Sequence, residues 1–247
     1  IKSDKCTLIL CEGDSAKAGI ISGLTKQDRD FIGVYPMKGK MINVRGENIK
    51  RINENAEFID IKRILGLENK KVYDSISTLR YGKVLFMTDQ DLDGTHIKGL
   101  GLNMFECIWP SLLKIDGFIG FMNTPILKAT KNKKTIEFYN DGQYEKWKQD
   151  NDFKGWKIKY YKGLGTSTNK EFKEYFEKKK TVCFDYNNEQ KEHIDMVFNK
   201  ERANDRKKWL SEYERNSYLD TNKKSVSYEE FIYKEMIHFS KYDCDRS

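Results

Sequence analysis

Short apolar runs that end in polar segments recur along the first half of the chain. Residues 7–11 and 84–87 are almost entirely apolar, and each run is too short to form the core of a helix. Such runs predict strands that are buried on both faces, as in a parallel sheet covered by helices. Residues 31–35 predict a further strand, which Pro36 is expected to halt because proline cannot donate to the ladder.

Segments with helical spacing alternate with these strands. A helix is predicted after residue 14, with Asp14 or Ser15 as its cap, and another within residues 47–67 that ends at Gly66. A third helix is expected to begin near Thr95 and to stop before Pro110. This alternation predicts an α/β fold in which a Rossmann-like, mainly parallel sheet is flanked by helices.

The second half of the chain reads differently, as strands followed by helices. Strands are predicted at residues 118–122, 126–129, 135–139 and 156–161. Two capping boxes, at Thr168–Glu171 and Ser227–Glu230, each predict the start of a helix. The charged segment over residues 200–213 predicts a further helix. We therefore expect two parts: a core over residues 1–125, and an α+β extension over residues 126–247 that ends in a helical linker.

Acidic residues follow two of the predicted strands. Glu12 comes directly after the first strand, and Asp89, Asp91 and Asp93 alternate after the strand at 84–87. Side chains in an extended segment alternate with period two, so the aspartates would point the same way. If the two strands are parallel neighbours, Glu12 faces them. Carboxylates this close repel one another, and a divalent cation is the simplest partner that keeps them ionised.

Two other interpretations of the aspartates remain open at this stage. The pattern Asp-x-Asp-x-Asp-Gly also opens a calcium-binding helix-loop-helix loop, but that loop needs a glutamate at its twelfth position, where this chain has Leu100. The aspartates could also form an acidic turn that caps the following helix and binds no metal.

Composition restricts the class of protein. Lys and Arg number 45 against 38 Asp and Glu, which gives a net charge of +7, so an acidic partner is plausible, although most charges are expected on a solvated surface. The five cysteines are scattered without Cys-x-x-Cys spacing, which argues against a disulfide framework and a zinc site. Without a long apolar run or a signal peptide, we expect a soluble intracellular protein that binds no membrane.

Several motifs together resemble the TOPRIM fold of type IIA DNA topoisomerases, in its eukaryotic form. They run in family order over nearly the whole chain: EGDSA at 12–16, YPMKGK at 35–40, NVR at 43–45, DQDLDG at 89–94, HIKGL at 96–100, WPSLL at 109–113, TPI at 124–126, KYYKGLGTS at 159–167 and DRKKWL at 205–210. One departure is Lys38, where the family usually carries arginine. Lysine keeps the charge but loses the bidentate fork.

The resemblance implies a role for each group of residues. Catalysis and the binding of Mg²⁺, with Mn²⁺ or Ca²⁺ as substitutes, would fall to Glu12, Asp89 and Asp91. Supporting positions would be Asp14, Asp93 and His96. Contacts with double-stranded DNA would come from Lys38, Lys40, Asn43 and Lys162. From the residues alone, the basic loop that contains Lys38 and Lys40 is equally well interpreted as a solvated surface loop.

The function implied by the resemblance is that of an isomerase fragment. It would contribute to double-strand DNA cleavage and religation during ATP-dependent strand passage, and it would be inactive without the winged-helix domain, which carries the nucleophilic tyrosine, and the ATPase domain, which uses ATP. The full-length enzyme would be a homodimer in the nucleus, or in a viral factory of the host cytoplasm if viral. The alternatives are a non-catalytic DNA-binding module and another TOPRIM enzyme, such as a primase or nuclease.

Overall fold

The computed structural model describes residues 2–246. Ile1 and Ser247, the outer ends of the two predicted parts, lie outside the described residues. Among the helices in this range, none combines the length and the apolar character that crossing a membrane would require.

Two sheets organise the described chain. The strands are β1 (Thr7–Glu12), β2 (Ile32–Met37), β3 (Lys83–Met87), β4 (Ile119–Met122), β5 (Leu127–Lys131), β6 (Lys134–Phe138), β7 (Lys157–Tyr160), β8 (Thr181–Asp185) and β9 (Ser225–Ser227). The larger sheet has the order β2-β1-β3-β4-β8-β9, and the smaller sheet has the order β6-β5-β7.

Helices cover both faces of the larger sheet, and the last of them ends at Arg246. They are α1 (Gly13–Gly23), α2 (Ile49–Glu54), α3 (Ala56–Leu65), α4 (Leu92–Ile108), α5 (Pro110–Leu113), α6 (Asp141–Asp150), α7 (Asn169–Lys178), α8 (Lys191–Phe198), α9 (Ala203–Ser211), α10 (Tyr228–Phe231) and α11 (Ile237–Arg246). A π-helical turn at Ile232–Met236 joins α10 to α11, and short 3-10 turns occur at Ser3–Lys5, Asp28–Asp30, Leu164–Thr166, Asn188–Gln190 and Lys200–Arg202.

The centre of the larger sheet is parallel, as predicted. β1 pairs in parallel with both β2 and β3, and β3 pairs in parallel with β4. Alternate residues of β1 pack into different clusters: Leu8 and Leu10 lie on the face covered by α4, while Ile9 and Cys11 lie on the face covered by α1 and α7. Burial on both faces explains why these strands are continuous apolar runs, and it confirms the α/β fold class.

Four predictions of element ends were wrong, and one of them is the start of α4, which begins at Leu92 and not near Thr95. β2 continues through Pro36 to Met37, because β2 lies at the edge of the sheet and needs ladder bonds on one side only. The helical segment within residues 47–67 is two helices, since Asn55 ends α2 and its side chain caps α3 by accepting from the Phe58 N–H. α1 begins at Gly13, without a side-chain cap from Asp14 or Ser15. The predicted stop at Gly66 is confirmed, with φ of 76°.

The C-terminal half completes the sheet of the N-terminal half. β8 pairs antiparallel with β4, and β9 pairs in parallel with β8. Neither strand was predicted from the sequence, because both lie in polar stretches of the chain and β9 has only three residues. The predicted α+β extension is confirmed, but it shares a sheet with the core.

Candidate functional site

The four predicted acids come together at the carboxyl edge of β1 and β3. The register pairs Cys11 with Met87, so Glu12 and the segment after β3 leave the sheet side by side. Burial is the largest cause that raises the pKa of Glu12, followed by the charges of Asp89, Asp91 and Asp93. The strand adjacency inferred from the sequence therefore produces an acidic cluster, which comprises Glu12, Asp89, Asp91 and Asp93.

Asp89 is the most enclosed acid of this cluster. Burial raises its pKa, and a hydrogen bond from the Leu164 N–H to its Oδ1, at 2.7 Å, lowers it. Leu164 follows Gly163, where an added Cβ would lie 2.8 Å from the Asp89 Cγ and closer still to Oδ2. A Cβ on Gly94 would collide with the backbone carbonyl of Asp89. Two glycines thus allow the loop before α7 and the first turn of α4 to close around Asp89.

Asp91 and Asp93 lie differently with respect to helix α4. Asp91 caps α4, because its Oδ1 accepts from the Gly94 N–H at 2.8 Å. Asp93 was expected to be the capping residue or a support, but it lies exposed in the first turn of α4, and its Oδ1 is 2.5 Å from the Lys40 Nζ. The hydrogen bond from Lys40 lowers the pKa of Asp93.

The cluster has the donor chemistry for a hard cation. Carboxylate oxygens are the ligands that Mg²⁺ takes from proteins, and Asp89 and Asp91 each use one oxygen in the backbone bonds above. In residues 2–246, no three His, Cys, Asp or Glu side chains are grouped closely enough to form a metal site as they stand. The residues therefore fit a metal by their chemistry, with two aspartates oriented by backbone N–H groups. The calcium-loop alternative is excluded, because α4 is already helical from Leu92.

A basic loop, residues 38–48, lies beside this cluster. Met37 pairs with Glu12 in the sheet, so the loop begins at the same edge. Met41 and Val44 are buried, while Lys38 and Lys40 are exposed. Lys162 is exposed as well, immediately before Gly163. Three of the predicted DNA contacts thus face solvent on segments that border the acids.

Asn43, the fourth predicted DNA contact, is half-buried. Its Nδ2 donates to the Phe198 carbonyl at 2.8 Å, and its Oδ1 accepts from the Asn103 Nδ2 at 2.9 Å. Both ends of the amide are used inside the protein. This environment favours a structural role for Asn43 over the DNA contact that the resemblance implied.

The two remaining predicted supports differ in their surroundings. Asp14 is exposed in the first turn of α1. Burial raises the pKa of Cys11, and the charge of Asp14 adds to that rise. His96 stacks on Phe239 with ring centroids 4.1 Å apart, and burial lowers its pKa to about 4. Its Nδ1 has no hydrogen-bond partner among the described residues. His96 is therefore neutral at pH 7 and packs α11 against α4.

Two family models divide the chain between them. Residues 7–122 match the Toprim domain, and residues 122–244 match the C-terminal associated domain of TOPRIM. The chain belongs to the TOPRIM family. The two matches meet at Met122, the last residue of β4, and the second matched region supplies β8 and β9 to the sheet begun by the first.

Curated relatives of this TOPRIM chain are named DNA topoisomerase 2. The chain is 48% identical over 249 residues to the protein of Plasmodium falciparum, covering 99% of this chain and 18% of that protein. It is 46% identical to the protein of Saccharomyces cerevisiae, covering 98% of this chain and 18% of the relative. It is 47% identical to DNA topoisomerase 2-beta of Homo sapiens, covering 98% of this chain and 16% of the relative.

A solved structure matches the TOPRIM chain over almost its whole length. It is described as the Plasmodium falciparum topoisomerase II DNA-binding, cleavage and re-ligation domain. The TM-score is 0.93 at 47% identity, with 99% of this chain and 34% of that chain covered. The TOPRIM chain thus spans less than a fifth of the curated relatives above and about a third of this solved chain.

Proposed function

We propose that this chain is the Mg²⁺-binding TOPRIM portion of a type IIA DNA topoisomerase. It would contribute to cleaving and resealing both strands of DNA during ATP-dependent strand passage. The names of the relatives and of the matched domain support this assignment. The observation that carries it is the meeting of Glu12, Asp89 and Asp91 at one sheet edge, beside exposed lysines.

In this proposal Glu12, Asp89 and Asp91 would hold the Mg²⁺. When bound, Mg²⁺ would supply charge stabilisation to the leaving 3′-oxygen and anchor a nearby phosphate. Mn²⁺ or Ca²⁺ would substitute for it. The Leu164 N–H holds Asp89 in place, and the Gly94 N–H holds Asp91. Asp93 contributes charge and binds Lys40, and Asp14 lies outside the ligand set.

Glu12 can also exchange a proton with the DNA. Without a metal, burial and the charges of the neighbouring aspartates raise its pKa, which favours this role. A protonated Glu12 would donate to the 3′-oxygen as that oxygen leaves, and ionised Glu12 would take the proton back during religation. Lys38, Lys40 and Lys162 would supply the positive charge that binds the phosphate backbone.

The rest of the reaction belongs to other parts of the enzyme in this proposal. A winged-helix domain would carry the nucleophilic tyrosine, and an ATPase domain would hydrolyse ATP, so the chain would be inactive alone. The enzyme would act on double-stranded DNA as a homodimer. The relatives from Plasmodium falciparum, Saccharomyces cerevisiae and Homo sapiens are eukaryotic, which favours the nucleus over a viral factory as the location.

The decisive test is Asp89→Asn in the intact enzyme. We expect this change to abolish Mg²⁺-dependent DNA cleavage and to leave DNA binding largely unchanged, since the lysines remain. Asp116→Asn, an exposed aspartate ahead of β4, is the matched control and should cleave like the wild type. Undiminished cleavage by Asp89→Asn would refute the assignment.

A second candidate is a DNA-binding module without metal chemistry. The absence of a ready-made metal group in the described chain and the net charge of +7 favour it. Calorimetry with Mg²⁺ or Mn²⁺ in the presence of nicked DNA separates the two, because metal binding that disappears in Asp89→Asn requires the acids. A primase or nuclease is disfavoured, because residues 122–244 match the C-terminal associated domain of TOPRIM and the relatives are named DNA topoisomerase 2.

A further inference from the structure

We propose that Arg45 is a positioning residue that tethers the basic loop, residues 38–48, along α4 and so presents Lys38 and Lys40 to DNA. The inference deepens the proposed function and depends on it. The structure directs the charge of Arg45 inward, toward α4 and α8. The side chain of Arg45 is only 13% exposed.

The guanidinium of Arg45 makes three separate contacts. Its Nε donates to the Asn103 Oδ1 at 2.9 Å, its Nη1 donates to the Asp195 Oδ1 at 2.9 Å, and its Nη2 pairs with Glu106. Asn103 and Glu106 lie on α4, and Asp195 lies on α8. The planar fork of arginine suits this set, because acceptors on two helices meet one rigid group.

Asn43 adds a second connection at the same point. Its Oδ1 accepts from the backbone N–H of Arg45 at 3.1 Å and from the Nδ2 of Asn103 at 2.9 Å. Asn103 is fully buried, so it links the loop to the centre of α4. The side chains of Asn43 and Arg45 thus both bond the loop to α4, and the backbone bond between them holds the two side chains together.

The position of these bonds along α4 determines where the lysines lie. Lys40 pairs with Asp93 in the first turn of α4, and Arg45 meets Asn103 ten residues later, about 15 Å along the axis at 1.5 Å per residue. Met41 and Val44 are buried between these two points. The Lys40–Asp93 pair is exposed, and such a pair contributes about 1 kcal/mol at most. Arg45 is therefore the stronger of the two attachments.

The charge of Asp195 distinguishes a tether from a direct phosphate contact. If Arg45 bound DNA, removing the negative charge of its partner Asp195 would leave binding to a polyanion unchanged or stronger. If Arg45 is a tether, Asp195→Asn weakens the attachment of the loop and therefore weakens DNA binding. The two hypotheses predict opposite signs for the same substitution.

The experiment measures duplex DNA binding by fluorescence anisotropy across a salt titration, in the intact enzyme. We expect both Arg45→Ala and Asp195→Asn to weaken binding on the order of ten-fold and to reduce the salt slope by up to about 2, the value for two lost phosphate contacts. The double variant should be no weaker than Arg45→Ala alone. Arg45→Lys should restore only part of the affinity, because an ammonium group cannot span the three acceptors. Arg51→Ala, which removes an exposed arginine nearby, is the charge-matched control.

Two results would overturn the tether. The first is an unchanged DNA affinity in Arg45→Ala. The second is a combination: Asp195→Asn does not weaken DNA binding, and Arg45→Ala reduces the salt slope by about 1, the value for one direct phosphate contact. Hydrogen exchange at the amides of residues 41–45 provides a readout that needs no DNA: protection should fall in Arg45→Ala and stay unchanged in Arg51→Ala. If the wild-type enzyme does not bind DNA, the proposed function fails, while hydrogen exchange still decides the tether. If Arg45→Ala does not fold, Asp195→Asn decides.

Discussion

Gly163→Ala should impair metal-dependent cleavage although it replaces no titratable residue. The φ of Gly163 is 173°, which is extended backbone that alanine adopts freely, so the substitution adds no backbone strain. The new methyl group would lie 2.8 Å from the Asp89 Cγ, where ordinary van der Waals contacts begin at 3.4 Å. The Asp89 carboxylate must therefore move, and its hydrogen bond from the Leu164 N–H must lengthen or break.

The size of the effect follows from that displacement. Restoring normal contact distances requires a shift of roughly 1 Å, and a misplacement of this size in a catalytic group can cost about 100-fold in rate. Overpacking of this kind costs about 1–3 kcal/mol of stability, which lowers the Tm of a domain this long by roughly 2–12 °C. Losing the Leu164 hydrogen bond also removes the main influence that lowers the pKa of Asp89. We therefore expect cleavage to require a higher pH.

The assay is Mg²⁺-dependent cleavage of duplex DNA by the intact enzyme across a pH series, with thermal unfolding in parallel. Gly165→Ala is the matched control, because it lies two residues away in the same loop and its added Cβ would have no neighbour within 4 Å. Gly163→Ala with the rate and pH profile of Gly165→Ala would show that the close approach to Asp89 does not position the carboxylate.

Two further predictions concern the contacts between α4 and the C-terminal helices. Lys98→Ala leaves Glu235 without its buried partner and should lower the free energy of unfolding, measured in urea, by about 3–5 kcal/mol. Adding Glu235→Gln to Lys98→Ala should recover part of this loss. A loss below about 1 kcal/mol would contradict the prediction. The pKa of His96 is about 4 in the folded protein and 6.5 when unperturbed, so the unfolded chain binds more protons between these values and stability should fall as pH falls from about 6.5 to 4. His96→Phe keeps the stacking on Phe239 and should flatten that fall between pH 7 and pH 5, whereas an unchanged slope would rule out His96 as its source.

Strong local patterns made much of the fold predictable. The continuous apolar runs of β1 and β3 are required by burial on both faces, and the capping box at Thr168 is formed as predicted. The acidic cluster followed from one topological inference, that these two strands are neighbours. β8 and β9 were missed because they lie in polar stretches of the sequence and have few buried apolar residues, Val182 and Phe184 in β8 and Val226 in β9.

The parts of the site that escaped prediction depend on distant partners or on backbone positions. Asn43 and Arg45 look like exposed polar residues of a basic loop until Phe198 and Asp195 are brought to them by the fold. The choice of Asp91 over Asp93 as the helix cap depends on where the first turn of α4 begins, which alternation alone does not determine. The steric need for glycine at position 163 depends on a carboxylate far away in the chain.

β8, which pairs with β4, is synthesised well after β4, and this delay matters while the chain is being made. When Met122 leaves the ribosome, β4 has a neighbour on one side only, and its free edge waits for residues 181–185. At about 5–20 residues per second, the ribosome needs roughly 3–13 s to make the segment from Met122 to the end of β8. An open strand edge invites pairing with other nascent chains, so the four parallel strands pass through an interval in which protection by chaperones matters most.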